Sequence, residues 1–432
     1  VVFAVFGAVF FVFAPWILKL IAPGFEGEKL ALAVKLSRIM FLQPVFLGVS
    51  VVFSGILQST QRFLSYAMAP IFYNIGIIFG ILVLYPKLGP AGLAWGVVFG
   101  AFLHMIVQYP AAKASGFKYK PIFSIRESAI KRIIHIIVPR SLSLMLNQMN
   151  LVIMAGLASF LGTGRVSVFN FANDINSLIL GVVAIPLGVA VFPVLSQFAS
   201  KERFEEFSGM IIKTLRQLLF LMIPATALFF VLRAQIVRLT LGYGKFDWAD
   251  TILTIDTLGL FLAGLIFQGV LAIILRAFFA LEDAKTPFWV LFFGILVSLA
   301  VSLLFSPVMD VGALALAMSA GAVFNTIVLS FILERRLKNL DFSELFRPIA
   351  FLIMSSAVSA AAAYGTLHIV VRYLNTHKVL HLIVQGGVAG IVGIAVFIAV
   401  SMFFGIEEAR QLGSKLKFKG KIVLPSLDEE TH

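Results

Sequence analysis

The sequence predicts an all-α polytopic membrane protein. Three observations carry this: a composition too apolar for water, apolar runs long enough to cross a bilayer, and charges gathered mostly in the connections between runs. Hydrophobic residues make up 60 % of the 432 residues and charged residues 13 %, with 44 Phe and no Cys. Mean hydropathy is +1.02. A soluble domain carries roughly 45–50 % apolar and about 25 % charged residues. The balance excludes a water-soluble enzyme, a disordered chain and a disulfide scaffold. The lack of Cys excludes thiol catalysis and Cys-ligated zinc or iron–sulfur centres. About 20 apolar residues at a rise of ~1.5 Å cross the hydrocarbon. Strands of about 10 alternating residues, as in a β-barrel, are not seen. Lipid offers no water to backbone groups, so the runs must be helices.

Twelve runs meet the length, in order near 1–21, 39–59, 66–85, 91–111, 133–162, 166–196, 211–232, 253–275, 287–306, 311–333, 348–367 and 381–404. The first ends at the turn Pro23-Gly24-Phe25. The second closes on Ile56-Leu57-Gln58 and Arg62-Phe63. Pro70 opens the third, which ends at Pro86; Gly92-Leu93-Ala94 starts the fourth. A basic stretch with Lys118, Lys120, Arg126, Lys131 and Arg132 leads into the fifth, interrupted at Pro139, and the sixth. Lys201 and Arg203 precede the seventh, and Gly242-Tyr243-Gly244 turns into the eighth. The ninth runs from Pro287 to Pro307, and Gly312-Ala313-Leu314-Ala315 opens the tenth. The last two follow Arg335-Arg336, with a basic tail behind them.

Lys and Arg set the orientation. One alternate set of connections, with the tail, holds 22 of them and the other holds 11. The richer set, and with it the C-terminus, is predicted to be cytoplasmic. The net charge of +13 then reflects contact with an anionic leaflet, not nucleic acid. External connections are too short to build a catalytic domain. No Walker loop, GxSxG or HExxH occurs, and the six His show no metal spacing, so no catalytic, metal or cofactor site is expected.

The punctuation repeats. Ile56 to Pro86 matches Ile274 to Pro307 at an offset near 218, and the Gly-aromatic turns upstream match too. Spans 1–4 therefore pair with spans 7–10, six spans apart and hence in the same direction, as in parallel-repeat transporters. Spans 5 and 6 have no counterpart ahead of span 1, so two further helices are expected before Val1, giving fourteen. The predicted organisation is an N-lobe remnant over 1–115, a basic cytoplasmic linker over 116–132, a C-lobe over 133–335, and a final helix pair with a cytoplasmic tail over 336–432.

Charge in mid-bilayer costs roughly 2.5–3.5 kcal/mol on insertion scales, so it needs a reason. Arg140, Ser143, Asn147 and Asn150 step by 3, 4 and 3 along span 5 and share one helix face. Ser167, Asn170, Asp174 and Ser177 do the same along span 6, and Gly181 continues the line. Gln148, Asn173 and Asn176 flank the stripes. Two adjacent polar stripes predict a hydrated cavity between lobes. Packing of Arg140 against Asp174 as a structural pair is the competing reading, and Arg140 could also snorkel to the surface. Gln43, Asn74, Asp256, Gln268 and Asn325 are isolated and read as interhelical hydrogen bonds. Glu282 and Asp283 read as solvated turn residues.

The ordered series Ala14-Pro15-Trp16, Ala22-Pro23-Gly24-Phe25, Ile56-Leu57-Gln58, Asn74-Ile75, Gly92-Leu93-Ala94-Trp95-Gly96, Gln108-Tyr109-Pro110, Pro139-Arg140, Ile185-Pro186-Leu187-Gly188, Phe192-Pro193-Val194-Leu195-Ser196 and Ala280-Leu281-Glu282-Asp283-Ala284-Lys285-Thr286-Pro287 resembles the MurJ/MviN family of lipid II flippases. The family belongs to the MATE-like exporter superfamily. The resemblance covers 1–335 well and the last two spans by count. It implies fourteen helices, of which spans 1–4 would be helices 3–6. It implies a multi-pass protein of the bacterial cytoplasmic membrane that carries the polyprenyl-pyrophosphate peptidoglycan precursor to the outer leaflet. Alternating access would be driven by an ion gradient or the membrane potential, with no cofactor, and a monomer is expected. Other exporters of the superfamily, moving drugs or O-antigen lipids, are the alternative. Substrate-cavity candidates are Arg140, Ser143, Asn147, Gln148, Asn150, Asn170, Asn173, Asp174 and Ser177. Where the family often has an Arg next to an Asp in its eighth helix, this sequence has Asn173 next to Asp174.

Overall fold

The computed structural model describes residues 2–60, 62–116, 141, 145–146, 148–241, 248–337, 339–372 and 379–411. Every regular element among them is helical. Ten helices are long and apolar enough to cross a membrane, and two more apolar helices, Gly7–Ile21 and Gln148–Ala158, are shorter. Two compact units emerge: Val1–Ile134 with Ala155–Gly162, and His135–Met154 with Thr163–His432.

The first unit contains α1 (Val2–Ile21), α2 (Gly27–Met40), α3 (Gln43–Ser59), α4 (Leu64–Leu88) and α5 (Pro90–Ala114). The reading of 22–38 as a plain connection is corrected by α2. Its Ala, Leu, Lys, Glu and Arg are strong helix formers, but it buries no residue. The crossing of α4 and α5 rests on glycine. A methyl group on Gly76 would fall on the backbone of Gly100, one on Gly80 on Gly96, and one on Gly92 on Leu84. Small residues let backbones approach this closely, and dispersion between them replaces the hydrophobic drive that lipid does not supply.

The second unit contains most of α6 (Gln148–Ala158), then α7 (Arg165–Ser200), α8 (Phe204–Leu241), α9 (Trp248–Ala280), α10 (Lys285–Met309), α11 (Val311–Arg336), α12 (Phe342–Val371) and α13 (Val379–Phe403). Helix α8 has 38 residues, about 57 Å at ~1.5 Å each. It therefore overruns the hydrocarbon, and Lys213 and Arg216 sit on its N-terminal part. Arg216 lies 3.0 Å from both Glu407 and Glu408. Beside it, Leu219, Phe220 and Ile223 pack with Leu352, Phe397, Ile406 and Ala409, and the Phe220 and Phe397 rings are 5.4 Å apart. The final helix pair is thus fastened to α8 by an apolar cluster and an ion pair.

Helices α9 and α11 are joined by side chains that find backbone carbonyls across the interface. Ser319 Oγ donates to Leu260 O at 2.8 Å, Thr326 Oγ1 donates to Phe267 O at 2.8 Å, and Gly264 makes room for Ser319. Large fully buried side chains here include Phe169, Phe207, Phe261, Phe278 and Met222. Elsewhere in the unit Leu304, Val308 and Phe403 stand open at 70 %, 84 % and 86 % exposure, as side chains that meet acyl chains rather than water would.

Helices α4 and α7 each contain one π-turn, at Gly80–Leu84 and Leu180–Ala184. Each ends just before a proline, Pro86 and Pro186. Proline has no N–H to give and crowds the preceding turn; a widened turn absorbs both faults without breaking the helix.

Candidate functional site

Helix α7 divides its polar residues between two faces. Val168, Ala172, Asn176 and Ile179 are buried, whereas Ser167, Asn170, Asp174, Ser177 and Gly181 are exposed and Asn173 is half-buried. The exposed residues are the stripe that the 3-4-3 spacing marks. The side chains of Asn170, Asp174 and Ser177 make no hydrogen bond to another described residue. A carboxyl, an amide and hydroxyls aligned on one face of a membrane helix would be costly against acyl chains, and together they can solvate a polar head group.

Asn176 belongs to the other face. It is 1 % exposed, and its Nδ2 donates to Gln268 Oε1 on α9 at 3.2 Å. Gln268 therefore makes the interhelical bond expected of it. Gln43 on α3 does likewise, donating to the Tyr73 hydroxyl at 3.0 Å. Asp256 and Asn74 are exposed.

The span-5 stripe is described only in part. Arg140, Ser143 and Asn147 lie outside the described residues. Gln148 is exposed and Asn150 half-buried. Asn150 Nδ2 lies 3.4 Å from Ser298 Oγ on α10, and its Oδ1 is buried without a partner.

Three features escaped the sequence reading. In the first unit Ser50, Ser54, His104 and Gln108 form a closed network across α3 and α5. Ser54 Oγ donates to Gln108 Oε1 at 2.7 Å, Gln108 Nε2 donates to Ser50 Oγ at 2.7 Å, and Ser50 Oγ lies 2.7 Å from His104 Nδ1. The signal was present as two i, i+4 pairs on facing helices. In the second unit Arg165, at the start of α7, lies 2.9 Å from Asp310 at the turn into α11. Asp283 is not a solvated turn residue. Its carboxylate accepts from the Lys285 and Thr286 N–H groups and the Thr286 hydroxyl, and pairs with Arg336 at 2.7 Å. Partial burial pushes the Asp283 carboxyl up, but the Thr286 bonds and the Arg336 charge outweigh it and hold it below the usual carboxylate range. Among the described residues no three His, Cys, Asp or Glu side chains cluster as metal ligands would.

Comparison with known proteins decides the family. The model of the family described as lipid II flippase MurJ matches residues 1–385. The chain belongs to the lipid II flippase MurJ family. Among MurJ relatives, the probable lipid II flippase of Borreliella burgdorferi is 28 % identical over 345 residues, 79 % of this chain and 67 % of that protein. The lipid II flippase of Burkholderia cenocepacia is 29 % identical over 335 residues, 75 % of this chain and 64 % of that protein. The chain thus spans about two thirds of the length of these curated relatives. A solved structure of lipid II flippase MurJ in an inward closed conformation matches with a TM-score of 0.75 at 22 % identity, covering 93 % of this chain and 81 % of that one. An inward-facing multidrug resistance MATE family transporter matches at 0.65 and 14 % identity, covering 78 % of each. The fold is accordingly MurJ- and MATE-like, and a multi-pass membrane protein of this family is a transporter, not a catalytic enzyme.

Proposed function

We propose that this chain moves lipid II from the inner to the outer leaflet of the bacterial cytoplasmic membrane by alternating access, as a step in peptidoglycan synthesis. Family membership sets the substrate class. The observation that carries the reading is the open polar face of α7. Lipid II joins a long apolar tail to a pyrophosphate and a large polar head. Taking that head through hydrocarbon unaided is prohibitive, whereas polar groups on a membrane helix solvate it while the tail stays in lipid. Asn170, Asn173, Asp174 and Ser177, with Ser143, Asn147, Gln148 and Asn150 of the preceding stripe, would line the passage, and Arg140 would neutralise the pyrophosphate. Movement of one charge down the membrane potential supplies about 2.3 kcal/mol per 100 mV, so a secondary-type transporter needs no bound cofactor.

The finer arrangement follows the same reading. With the ten long helices, the two shorter apolar ones would complete twelve spans, and the Lys/Arg count supports a cytoplasmic C-terminus. Two like-directed repeats are supported by corresponding details inside each unit. The turn before α5 holds Gly89 at φ 60°, ψ −145°, and the turn before α11 holds Asp310 at φ 50°, ψ −133°. Gly76 packs on Gly100 in one, and Gly321 packs beside Gly294 and Ser298 in the other. A single copy suffices for transport.

The test is genetic. The full-length gene should restore growth to bacteria depleted of their own lipid II flippase. Arg140→Ala should abolish rescue at unchanged membrane abundance; full rescue by that variant would reduce Arg140 to a structural role.

A further inference from the structure

In the second unit, α8, α9, α12 and α13 line an open cleft of about 350 Å³ bordered by Arg233, Gln235, Ile255, Tyr364, His368 and Gln385, among others. We propose that it holds the head group of a bulk membrane phospholipid carrying both a phosphate and an N–H donor, as an ethanolamine head does.

The chemistry of the lining selects this ligand. Arg233 is its fixed cation, and no carboxylate is among the described lining residues. The guanidinium stacks over the Phe230 ring at 4.3 Å and donates through Nη1 to Phe230 O at 2.6 Å, and its Nε is buried with no partner. Stacking fixes the planar fork, and a fixed fork is suited to phosphate oxygens. Two residues on, Gln235 Oε1 is also buried with no partner. An orphaned buried acceptor calls for a donor. His368 Nδ1 lies 3.0 Å from Tyr364 O. A carbonyl can only accept, so Nδ1–H donates there. One cation with an unfilled acceptor close by matches a phosphate with an ammonium beside it better than a bare anion.

Location points to a lipid rather than a soluble phosphate ester. Arg233 follows directly on the apolar run of α8, Tyr364 and His368 lie in the last turns of α12, and Gln385 lies in the second turn of α13. This is the level where aromatic and cationic side chains meet head groups. Ile369, Leu380 and Ile383, on the same two helix ends, are 61 %, 67 % and 52 % exposed and would lie along the acyl chains. The ligand is distinct from the transported substrate, and the assay below contains no lipid II, so failure of the transport reading would leave its result intact.

The purified chain in detergent is incubated with dioleoyl phosphatidylethanolamine, with its N-trimethylated analogue phosphatidylcholine, and with inorganic phosphate, and retained ligand is counted by native mass spectrometry. The ethanolamine lipid should be retained about fivefold more tightly than the choline lipid, the equivalent of one hydrogen bond. Millimolar phosphate should not displace it. Arg233→Gln should abolish retention and Arg233→Lys should keep part of it. Gln235→Leu should retain lipid but lose the preference for ethanolamine over choline, which keeps the proposal testable if Arg233→Gln does not fold. Equal retention of the two lipids by the unaltered chain, displacement by free phosphate, or an unchanged preference in Gln235→Leu would each overturn it.

Discussion

At the level of single residues, burial separates the polar stripe of α7 from the asparagine that flanks it. Asn170, Asp174 and Asn176 all lie on one polar helix, yet Asn176 is locked to Gln268 while the other two are open. Asp174→Ala should therefore abolish rescue of flippase-depleted cells with normal membrane abundance. Asn176→Ala should instead lower thermal stability, by about 1–3 kcal/mol for a buried partner left unpaired. The same distinction applies to the Ser50–Gln108 network: Gln108→Leu leaves two buried hydroxyls short of a partner and should depress the melting temperature in detergent. Asp283 gives a pH signature. Its folded carboxyl is held below the unfolded value of about 3.9, so its stabilisation is full above that value and is lost as pH falls through the folded one. The melting-temperature gap between the unaltered chain and Asp283→Asn should stay constant from neutral pH to about pH 5 and close below about pH 4.

At the scale of elements, the apolar runs and their Pro and Gly punctuation made most helices legible. The long runs left no alternative to helix in lipid, whereas the π-turns of α4 and α7 had no signal of their own. Helix ends were less legible. The seventh run reads as 211–232, yet α8 spans Phe204–Leu241, because long cationic side chains reach head groups without ending a helix. The open stripe of α7 was readable from 3-4-3 spacing alone. The Ser50–His104 network and the Asp310–Arg165 pair were not, since each joins residues far apart in sequence. Glycine packing yields a sharp contrast. Gly76→Leu should abolish accumulation of the protein, because backbone stands where the side chain must go. Gly55→Ala, with nothing within 4 Å, should accumulate normally or better, since Ala is the stronger helix former by ~1 kcal/mol. Immunoblots of membrane fractions read both.

Over the whole molecule, a MurJ family chain with a MurJ- and MATE-like fold carries a polar helix face that would be costly against acyl chains. In the proposed function this face serves a lipid-linked anion in transit. The decisive measurement is growth of flippase-depleted bacteria on the full-length gene beside its Asp174→Ala variant at matched membrane abundance. Growth with the unaltered gene and lysis with the variant is the predicted result. Equal growth with both, or lysis with both despite full accumulation, would contradict it.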